Sequence, residues 1–313
     1  MLQYVTNRLL HAVVVVILVS LVTFGLLHTL PGGIVRAQLG GKATQAAVHH
    51  LSVQEGLSKP FFIQYWIWLW NAAHGSLGFS YQQNQPVGTL LAEYLPRTLL
   101  LVCPSVALAM AVAVPIGLLQ AARRNRIVDY SITVSMLIFY SMPGFLMAIV
   151  LIVVFGLWLN VVPITASNFG ISYWVDFHVL VLPMLTLFLG NVSYYSRYMR
   201  SAAIESLLSD YVTTAKAKGA SQPRVLIRHV LRNSSSVMMS LAGLTFPYVL
   251  SGSLIVETVF NYPGMGLLFW NALQDRDFTV LLGVLLVVSV VTTLGSLLAD
   301  LGYACLDPRV RTR

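Results

Sequence analysis

The most distinctive polar stretch of the sequence is a basic segment, Asp210–Asn233, between two strongly apolar segments. After an apolar helical pattern, Gly219 has the position of a residue that ends a helix in the left-handed conformation. Ser221 and Pro223 are typical of the cap and first turn of a second helix. The spacing therefore predicts a helix-turn-helix whose chemistry is that of its basic side chains, which are Lys216, Lys218, Arg224, Arg228 and Arg232.

Two apolar stripes define the predicted helices, because helical faces repeat at three and four residues. The first stripe, taken as one continuous helix, comprises Ile204, Leu207, Leu208, Tyr211 and Ala215. The second comprises Val225, Leu226, His229 and Val230. A basic element of this kind either docks on another molecule or only orients the protein in a membrane, since basic loops are usual on the cytoplasmic side. The spacing alone leaves both interpretations open.

Other patterns that could support catalysis or metal binding are missing from the sequence. Gly40–Lys42 is not a phosphate-binding loop, because Arg36 stands where the first glycine is needed and Ala43 where a hydroxyl residue is needed. The seven histidines show no metal-ligand spacing. We therefore expect no catalytic residue, metal or cofactor in this chain.

Composition excludes an ordinary soluble domain. Hydrophobic residues make up 57% of the chain and charged residues only 10%, whereas soluble domains have about 25% charged residues. The mean hydropathy is +0.76. The net charge of +8 comes from basic residues beside apolar segments, so membrane orientation explains it more simply than nucleic-acid binding.

Six apolar segments are long enough to cross a bilayer, which takes about 20 helical residues. They are Leu9–Leu30, Leu99–Leu119, Ile132–Leu159, Val179–Tyr195, Val237–Val256 and Val280–Gly302. The third is overlong and contains Ser141-Met-Pro-Gly144, which predicts either a break beside a protected path or a simple kink. The fold class is therefore an all-α integral membrane protein with six transmembrane helices.

The polar region 31–96 is predicted to be an external helical insertion between the first two spans. Within it, Lys59–Trp70 is aromatic but too short to span the bilayer. It is either an interfacial or lid helix or a buried helix of a small external domain. The predicted organisation is a first span in 1–30, the insertion in 31–96, and a five-helix core in 97–313 that includes a cytoplasmic loop at 197–236.

The distribution of basic residues predicts the orientation. Fourteen of the 19 lysines and arginines lie on the side of the termini. The five on the other side are Arg36, Lys42, Lys59, Arg97 and Arg276. Because positive charge accumulates in cytoplasmic loops, both termini are predicted to be cytoplasmic.

On this topology the chain resembles the permease subunits of binding-protein-dependent ABC importers, closest to the B-type permease of the dipeptide, oligopeptide and nickel branch. The matching stretches include Leu30–Gly32, Gly56–Pro60, His74–Gly78, Leu95–Leu99, Ala215–Gly219, Arg228–Asn233, Glu257–Gly266 and Leu306–Arg309. Their joint order covers nearly the whole chain. Two stretches depart from the family pattern, because Thr213–Ala215 replaces Glu-Ala-Ala and Ser234–Met238 lacks the usual proline.

The resemblance implies a non-catalytic subunit of an ATP-driven importer that moves peptides or a related small solute across the prokaryotic inner membrane. Its implied partners are a homologous permease in a heterodimer, two ATPase subunits that bind ATP and Mg, and an external substrate-binding protein, with no nucleic acid. The coupling helices would lie between spans four and five. The residues assigned to ATPase coupling are Tyr211, Thr213, Thr214, Ala215, Lys216, Lys218, Gly219, Ala220, Ser221, Arg224 and Arg228.

Several polar residues within the predicted spans could line a path for peptide backbone groups, although helix packing explains them equally well. They are Ser141, Pro143, Asn191, Ser193, Tyr194, Ser251 and Ser253. The few ionisable residues lie toward span ends, which argues against buried acids of the kind used by ion-coupled carriers. A secondary transporter or channel that acts without an ATPase is the alternative function.

Overall fold

The computed structural model describes residues 2–28, 44–54, 59–166 and 177–306. Its elements in chain order are α1 (Leu2–His28), α2 (Gln45–Gln54), α3 (Phe61–Ala73), β1 (Phe79–Ser80), β2 (Gln85–Pro86), α4 (Val87–Ala122), α5 (Ile127–Ser141), α6 (Gly144–Leu151) with a π-helical extension (Ile152–Trp158), α7 (Phe177–Leu207), α8 (Asp210–Ala217), α9 (Gln222–Arg224) with a π-helical extension (Val225–Val230), α10 (Leu231–Val259), α11 (Met265–Gln274) and α12 (Phe278–Leu306). The fold is mostly helical, as predicted, but the antiparallel hairpin β1–β2 was not predicted.

Four helical segments in the described residues are long and apolar enough to cross a membrane: Leu9–Leu26, Val87–Ala122, Phe177–Leu207 and Phe278–Leu297. A fifth is possible if the bent pair α5–α6 is one span. The span predicted at Val237–Val256 falls within α10, and the side chains of residues 243–252 lie outside the description. The described residues therefore give four or five spans, and the count of six stays a prediction.

The overlong third segment is not a straight helix. The chain bends by 104° between Ile127–Ser141 and Gly144–Trp158. Met142 has extended backbone angles, and Pro143 directly precedes α6. A residue before proline is disfavoured in the helical region, which explains why α5 stops there. Of the two alternatives that the sequence left open, a full break rather than a kink is found.

The described chain divides into two compact units, the first formed by residues 1–98 and 263–294. Its core brings together Phe24 of α1, Tyr65 of α3, Leu90 of α4, Leu268 of α11 and Leu281 of α12. Helix α3 places one face in this core and leaves large side chains exposed on the other, namely Phe62, Ile63, Trp66 and Trp70. This two-faced burial favours the interfacial interpretation of α3 over a helix buried on all sides.

The second unit comprises residues 99–262 and 295–313. Helices α4, α6 and α7 share a core that includes Leu101, Met147 and Leu182. A second core joins α4, α7 and α10 and includes Tyr195 and Met199. Because α4 begins at Val87, it starts well before residue 97, where the five-helix core was predicted to begin.

Some residues used in the sequence analysis lie outside the described part of the chain. They include Leu30–Gly32, Arg36, Gly40–Lys42, Gly56–Ser58, Asp307–Arg309, Arg311 and Arg313. The orientation count and parts of the family resemblance therefore rest on the sequence at these positions.

Candidate functional site

The turn at Gly219 forms as the sequence predicts. Gly219 has a φ of +81°, a conformation that glycine adopts without steric cost. Its N–H donates to the carbonyl of Lys216 at 2.9 Å, and the N–H of Ala220 donates to the carbonyl of Ala215 at 3.1 Å. These are the two hydrogen bonds of a Schellman motif, which ends α8. Among the described residues, and apart from its own neighbours in the chain, no atom lies within 4 Å of a Cβ built on Gly219. The glycine is therefore needed for its φ and not to make space for another group.

The second helix begins where the sequence places it. Ser221 is extended, with φ −66° and ψ 154°, and Pro223 occupies the first turn of α9. The carbonyl of Ser221 accepts a hydrogen bond from the N–H of Val225 at 3.0 Å. The Ser221 hydroxyl makes no capping hydrogen bond, so the backbone and the proline define this helix start.

The continuous helix predicted from Ile204 to Ala215 is wrong. Helix α7 ends at Leu207, and Ser209 is extended with φ −78° and ψ 150° before α8 begins at Asp210. Asp210 lies in the first turn of α8, where an acidic side chain stabilises the positive N-terminal end of a helix, while the Ser209 hydroxyl donates back to the Glu205 carbonyl at 3.1 Å. This local signal outweighs the apolar repeat that crosses it.

The break changes which side chains of α8 point inward. Val212 is completely buried, whereas Leu208 is 72% exposed and Tyr211 is 39% exposed. The Tyr211 hydroxyl forms a short hydrogen bond with the Ser206 hydroxyl at the end of α7. Tyr211 therefore fixes α8 to α7 through its hydroxyl instead of filling the core.

The helix-turn-helix, Asp210–Val230, packs on the ends of α4 and α7. The buried residues of this small core are Ala121, Ala203, Val212, Val225 and Val230. Val225 and Val230 have no exposed surface, and Leu226 and His229 are half-buried. The second predicted stripe is therefore confirmed, and its buried side chains pack the helix-turn-helix against the second unit.

The outer face of the helix-turn-helix is basic with large apolar side chains. Ile227 is 66% exposed, and Leu208, two residues before the element, is 72% exposed. Tyr211 is 39% exposed, with its hydroxyl paired to that of Ser206. Within the described residues, none of the five basic side chains makes an ion pair: Lys216, Lys218, Arg224, Arg228 and Arg232. Exposed apolar anchors ringed by polar groups are typical of protein interfaces.

The other residues predicted for coupling lie on or beside this surface. Thr213, Thr214, Gly219 and Ser221 are exposed, while Ala215 and Ala220 are half-buried. Ile227 was missed by the sequence analysis. The available signal was an isoleucine placed off the stripe that Val225, Leu226, His229 and Val230 form.

The residues predicted to line a path lie on three helices of the second unit. Ser141 and Pro143 are exposed at the bend between α5 and α6. On α7, the side-chain amide of Asn191 donates to the Leu187 carbonyl at 2.7 Å. Ser193, on the same helix, is completely buried and donates to the Gly190 carbonyl at 2.7 Å.

The remaining path residues divide between the described and the undescribed side chains. Tyr194 is half-buried, and its ring centroid lies 4.9 Å from that of Tyr198, with the two rings tilted by 55°. Ser253 on α10 is completely buried, and the side chain of Ser251 lies outside the description. A shared path therefore stays a prediction.

In the described residues, no group of three or more His, Cys, Asp or Glu side chains could hold a metal ion.

Two family models match this chain. One, described as "Binding-protein-dependent transport system inner membrane component", matches residues 113–312. The other, described as "Binding-prot-dependent transport system membrane comp, N-term", matches residues 1–102. Between them they cover nearly the whole sequence.

Curated relatives match over almost their full length. A putative peptide permease protein of Brucella suis biovar 1 is 37% identical over 320 residues, which is 99% of each chain. The oligopeptide transport system permease protein AppB of Bacillus subtilis is 32% identical over 314 residues, again 99% of each. The glutathione transport system permease protein GsiC of Escherichia coli K12 is 33% identical over 314 residues and 99% of each.

A solved structure has a similar fold. The structure of the MetNI methionine ABC transporter in inward-facing conformations aligns with a TM-score of 0.59. The alignment covers 70% of this chain and 96% of that chain at 16% identity. A likeness at this identity shows the fold alone.

Proposed function

The chain belongs to the family of binding-protein-dependent transport system inner membrane components and is a permease subunit of an ABC importer, and from this premise we propose that it moves peptides. The named relatives are permeases for oligopeptides and glutathione and a putative peptide permease. A related small solute is the second candidate for the same path, because these relatives share the scaffold while differing in their named substrates.

We further propose that the helix-turn-helix docks on separate ATPase subunits, which bind ATP and Mg. The observation that carries this proposal is the outer face of the element, where Leu208, Tyr211 and Ile227 are exposed above a buried core. Among the residues that the structure describes, the basic side chains of this element make no ion pair. Buried packing on α4 and α7 suits an element that transmits force, because packed elements move as rigid bodies. The resulting switch alternates access to the path between the two sides of the membrane.

Replacing Gly219 by valine tests this role. A β-branched residue at a φ of +81° is strained by roughly 1–2 kcal/mol, so the turn changes and the outer face is displaced. We expect both transport and co-purification of the ATPase subunits to fall. Gly88→Val is the control, because Gly88 is helical and has open space around its Cβ position. Unchanged transport and unchanged ATPase binding in Gly219→Val would refute the docking role.

The external side is proposed to receive the substrate-binding protein through the hairpin β1–β2. Ser80 is fully buried and its hydroxyl donates to the Asp277 carboxylate. The Asp277 carboxylate also accepts the N–H of Val280 at 3.2 Å, and the Ser80 hydroxyl accepts the N–H of Gln83 at 2.9 Å. These bonds hold the exposed tip, Tyr81–Asn84, in a fixed position. Aromatic and amide side chains of this kind suit contact with a polar protein surface.

The full assembly is proposed to contain a second, homologous permease, two ATPase subunits and the external binding protein, with both termini of this chain in the cytoplasm. The orientation is supported by the excess of basic residues in the loops assigned to the cytoplasm. Co-purification followed by identification of the bound chains tests the composition, and recovery of this chain as an isolated monomer would contradict it.

A further inference from the structure

A buried ion pair joins α5 to α7 near the helix-turn-helix. Asp129 is only 2% exposed. The Nε atom of Arg200 donates to its Oδ1 at 2.8 Å, and the Nη2 atom donates to its Oδ2 at 2.8 Å. A bidentate pair fixes orientation as well as distance. The two residues are 71 positions apart in the sequence, and no local pattern pairs them.

The same carboxylate organises the turn between α4 and α5. The N–H of Asn125 donates to Oδ2 of Asp129 at 3.1 Å, and Asn125 has a φ of +62°. One helical turn further on, Gln120 of α4 donates to the hydroxyl of Thr133 of α5 at 3.0 Å. Asp129 is therefore the point at which α5, the turn from α4 and α7 are joined by hydrogen bonds.

The backbones of α4 and α7 approach closely at the level of this ion pair. A Cβ built on Gly117 would lie 2.7 Å from the Cβ of Met199 and 2.8 Å from the backbone nitrogen of Arg200. Such distances are too short for any side chain without a shift of the helices. The backbone of Arg200 is thus held against α4, and its guanidinium reaches α5.

Helix α7 runs without a break from Arg200 to Leu207, and the helix-turn-helix begins three residues later at Asp210. Ser206 lies six positions after Arg200, about 9 Å along the helix, and its hydroxyl pairs with that of Tyr211 in α8. Ala203 lies between them and packs in the same core as Val212. A displacement of α8 therefore acts directly on the segment of α7 that carries Arg200.

We propose that the Asp129–Arg200 ion pair is the positioning contact that makes α5 move with α7 when the docked ATPase subunits displace the helix-turn-helix. The proposal rests on the docking function above. Apolar helix surfaces can slide past one another in small steps, whereas a bidentate ion pair has one geometry. Through α5 the displacement reaches the 104° bend and α6. Without the pair, α7 follows the ATPase and α5 lags behind it.

The test compares Asp129→Asn and Arg200→Lys in the assembled transporter. Arg200→Lys keeps both charges of the pair, whereas Asp129→Asn leaves the Arg200 guanidinium, whose side chain is 30% exposed, with a neutral partner. We expect ATP hydrolysis and assembly close to the wild type, and a loss of roughly 5–30-fold in solute transported per ATP, the range of coupling changes of about 1–2 kcal/mol. Arg200→Lys keeps the charge but not the bidentate geometry, so its loss should be smaller.

Glu93→Gln is the matched control. Glu93 pairs with Arg97 at 2.8 Å, but both residues belong to α4, so this ion pair joins no two elements. Transport per ATP should be unchanged in this variant. The proposal is overturned if both test variants transport as much per ATP as the wild type, or if Glu93→Gln loses as much as they do. If Asp129→Asn does not accumulate in the membrane, the test rests on Arg200→Lys alone. Its solute transported per ATP is then compared with that of the wild type.

A wild-type chain that neither binds ATPase subunits nor needs nucleotide would instead refute the proposed function. That outcome is read from the unmodified transporter, so it is distinguishable from a failure of the ion-pair proposal.

Discussion

At the scale of single residues, exposure separates the residues that build the helix-turn-helix from those that can bind a partner. Val212 and Val225 have no exposed surface, so substitutions there would act through folding. Ile227 lies two residues from Val225 and is 66% exposed. Because an exposed isoleucine contributes little to the fold, its position on the outer face makes it the sharpest probe of docking.

Ile227→Asp should weaken binding of the ATPase subunits without unfolding the permease. An apolar anchor near the centre of an interface contributes more than about 1 kcal/mol, so the affinity should fall roughly tenfold. The measurement is the binding of purified ATPase subunit to the permease in detergent. Ile127→Asp serves as the control, since Ile127 is 82% exposed at the start of α5 and lies outside the helix-turn-helix. Equal affinities for both variants and the wild type would show that Ile227 is not a contact.

At the scale of elements, the short hairpin β1–β2 is held in place by side-chain hydrogen bonds. The hairpin β1–β2 has two residues in each strand, and an isolated hairpin of this size is marginal in water. The hairpin is stabilised by its hydrogen bonds to the turn before α12. A further hydrogen bond from the N–H of Val87 to the Gly78 carbonyl, at 3.0 Å, adds to the stability that two short strands lack. The tip is therefore a rigid feature of the first unit.

Shortening the side chains of the hairpin tip should reduce stimulation by the binding protein. In the double variant Gln82→Ala and Gln83→Ala, half-maximal stimulation of ATP hydrolysis should need a concentration of loaded binding protein that is roughly 5–30-fold higher. Each of the two interface side chains contributes about 0.5–1 kcal/mol. Basal hydrolysis without binding protein should stay the same. The control is Gln54→Ala, at the end of α2. An unchanged concentration dependence would exclude the tip from the docking surface.

At the scale of the whole molecule, the chain has the features of a subunit that depends on its partners. Its sequence has no phosphate-binding loop. Within the part of the chain that the structure describes, the basic side chains of the helix-turn-helix make no ion pair and stay available to a partner. In the family to which the chain belongs, transport depends on a binding protein. The alternative, a carrier that acts alone, requires neither that face nor that dependence.

Reconstitution separates the two functions. In vesicles that contain the full assembly, uptake should require ATP on the side of the ATPase subunits and should persist when an ionophore removes the proton and sodium gradients. Vesicles that contain this chain alone should show no uptake. Flux through the chain alone, driven by an ion gradient, would establish the secondary transporter in place of the importer.

The sequence by itself determines the membrane class, the family and the turn at Gly219. These depend on composition, on the order of short motifs and on backbone preferences within a few residues, as in the Schellman motif, whose hydrogen bonds span five residues at most. The second apolar stripe is equally local, and its inward face is confirmed.

Tertiary structure decides which side chains meet and which are left outside. The Pro143 motif predicts an interruption of the helix but does not show that the bend is 104°. Asp129 and Arg200 are 71 residues apart, and no local pattern pairs them. Their contact depends on how α4, α5 and α7 pack, and that packing is set by many apolar contacts of similar energy, which a single sequence does not rank.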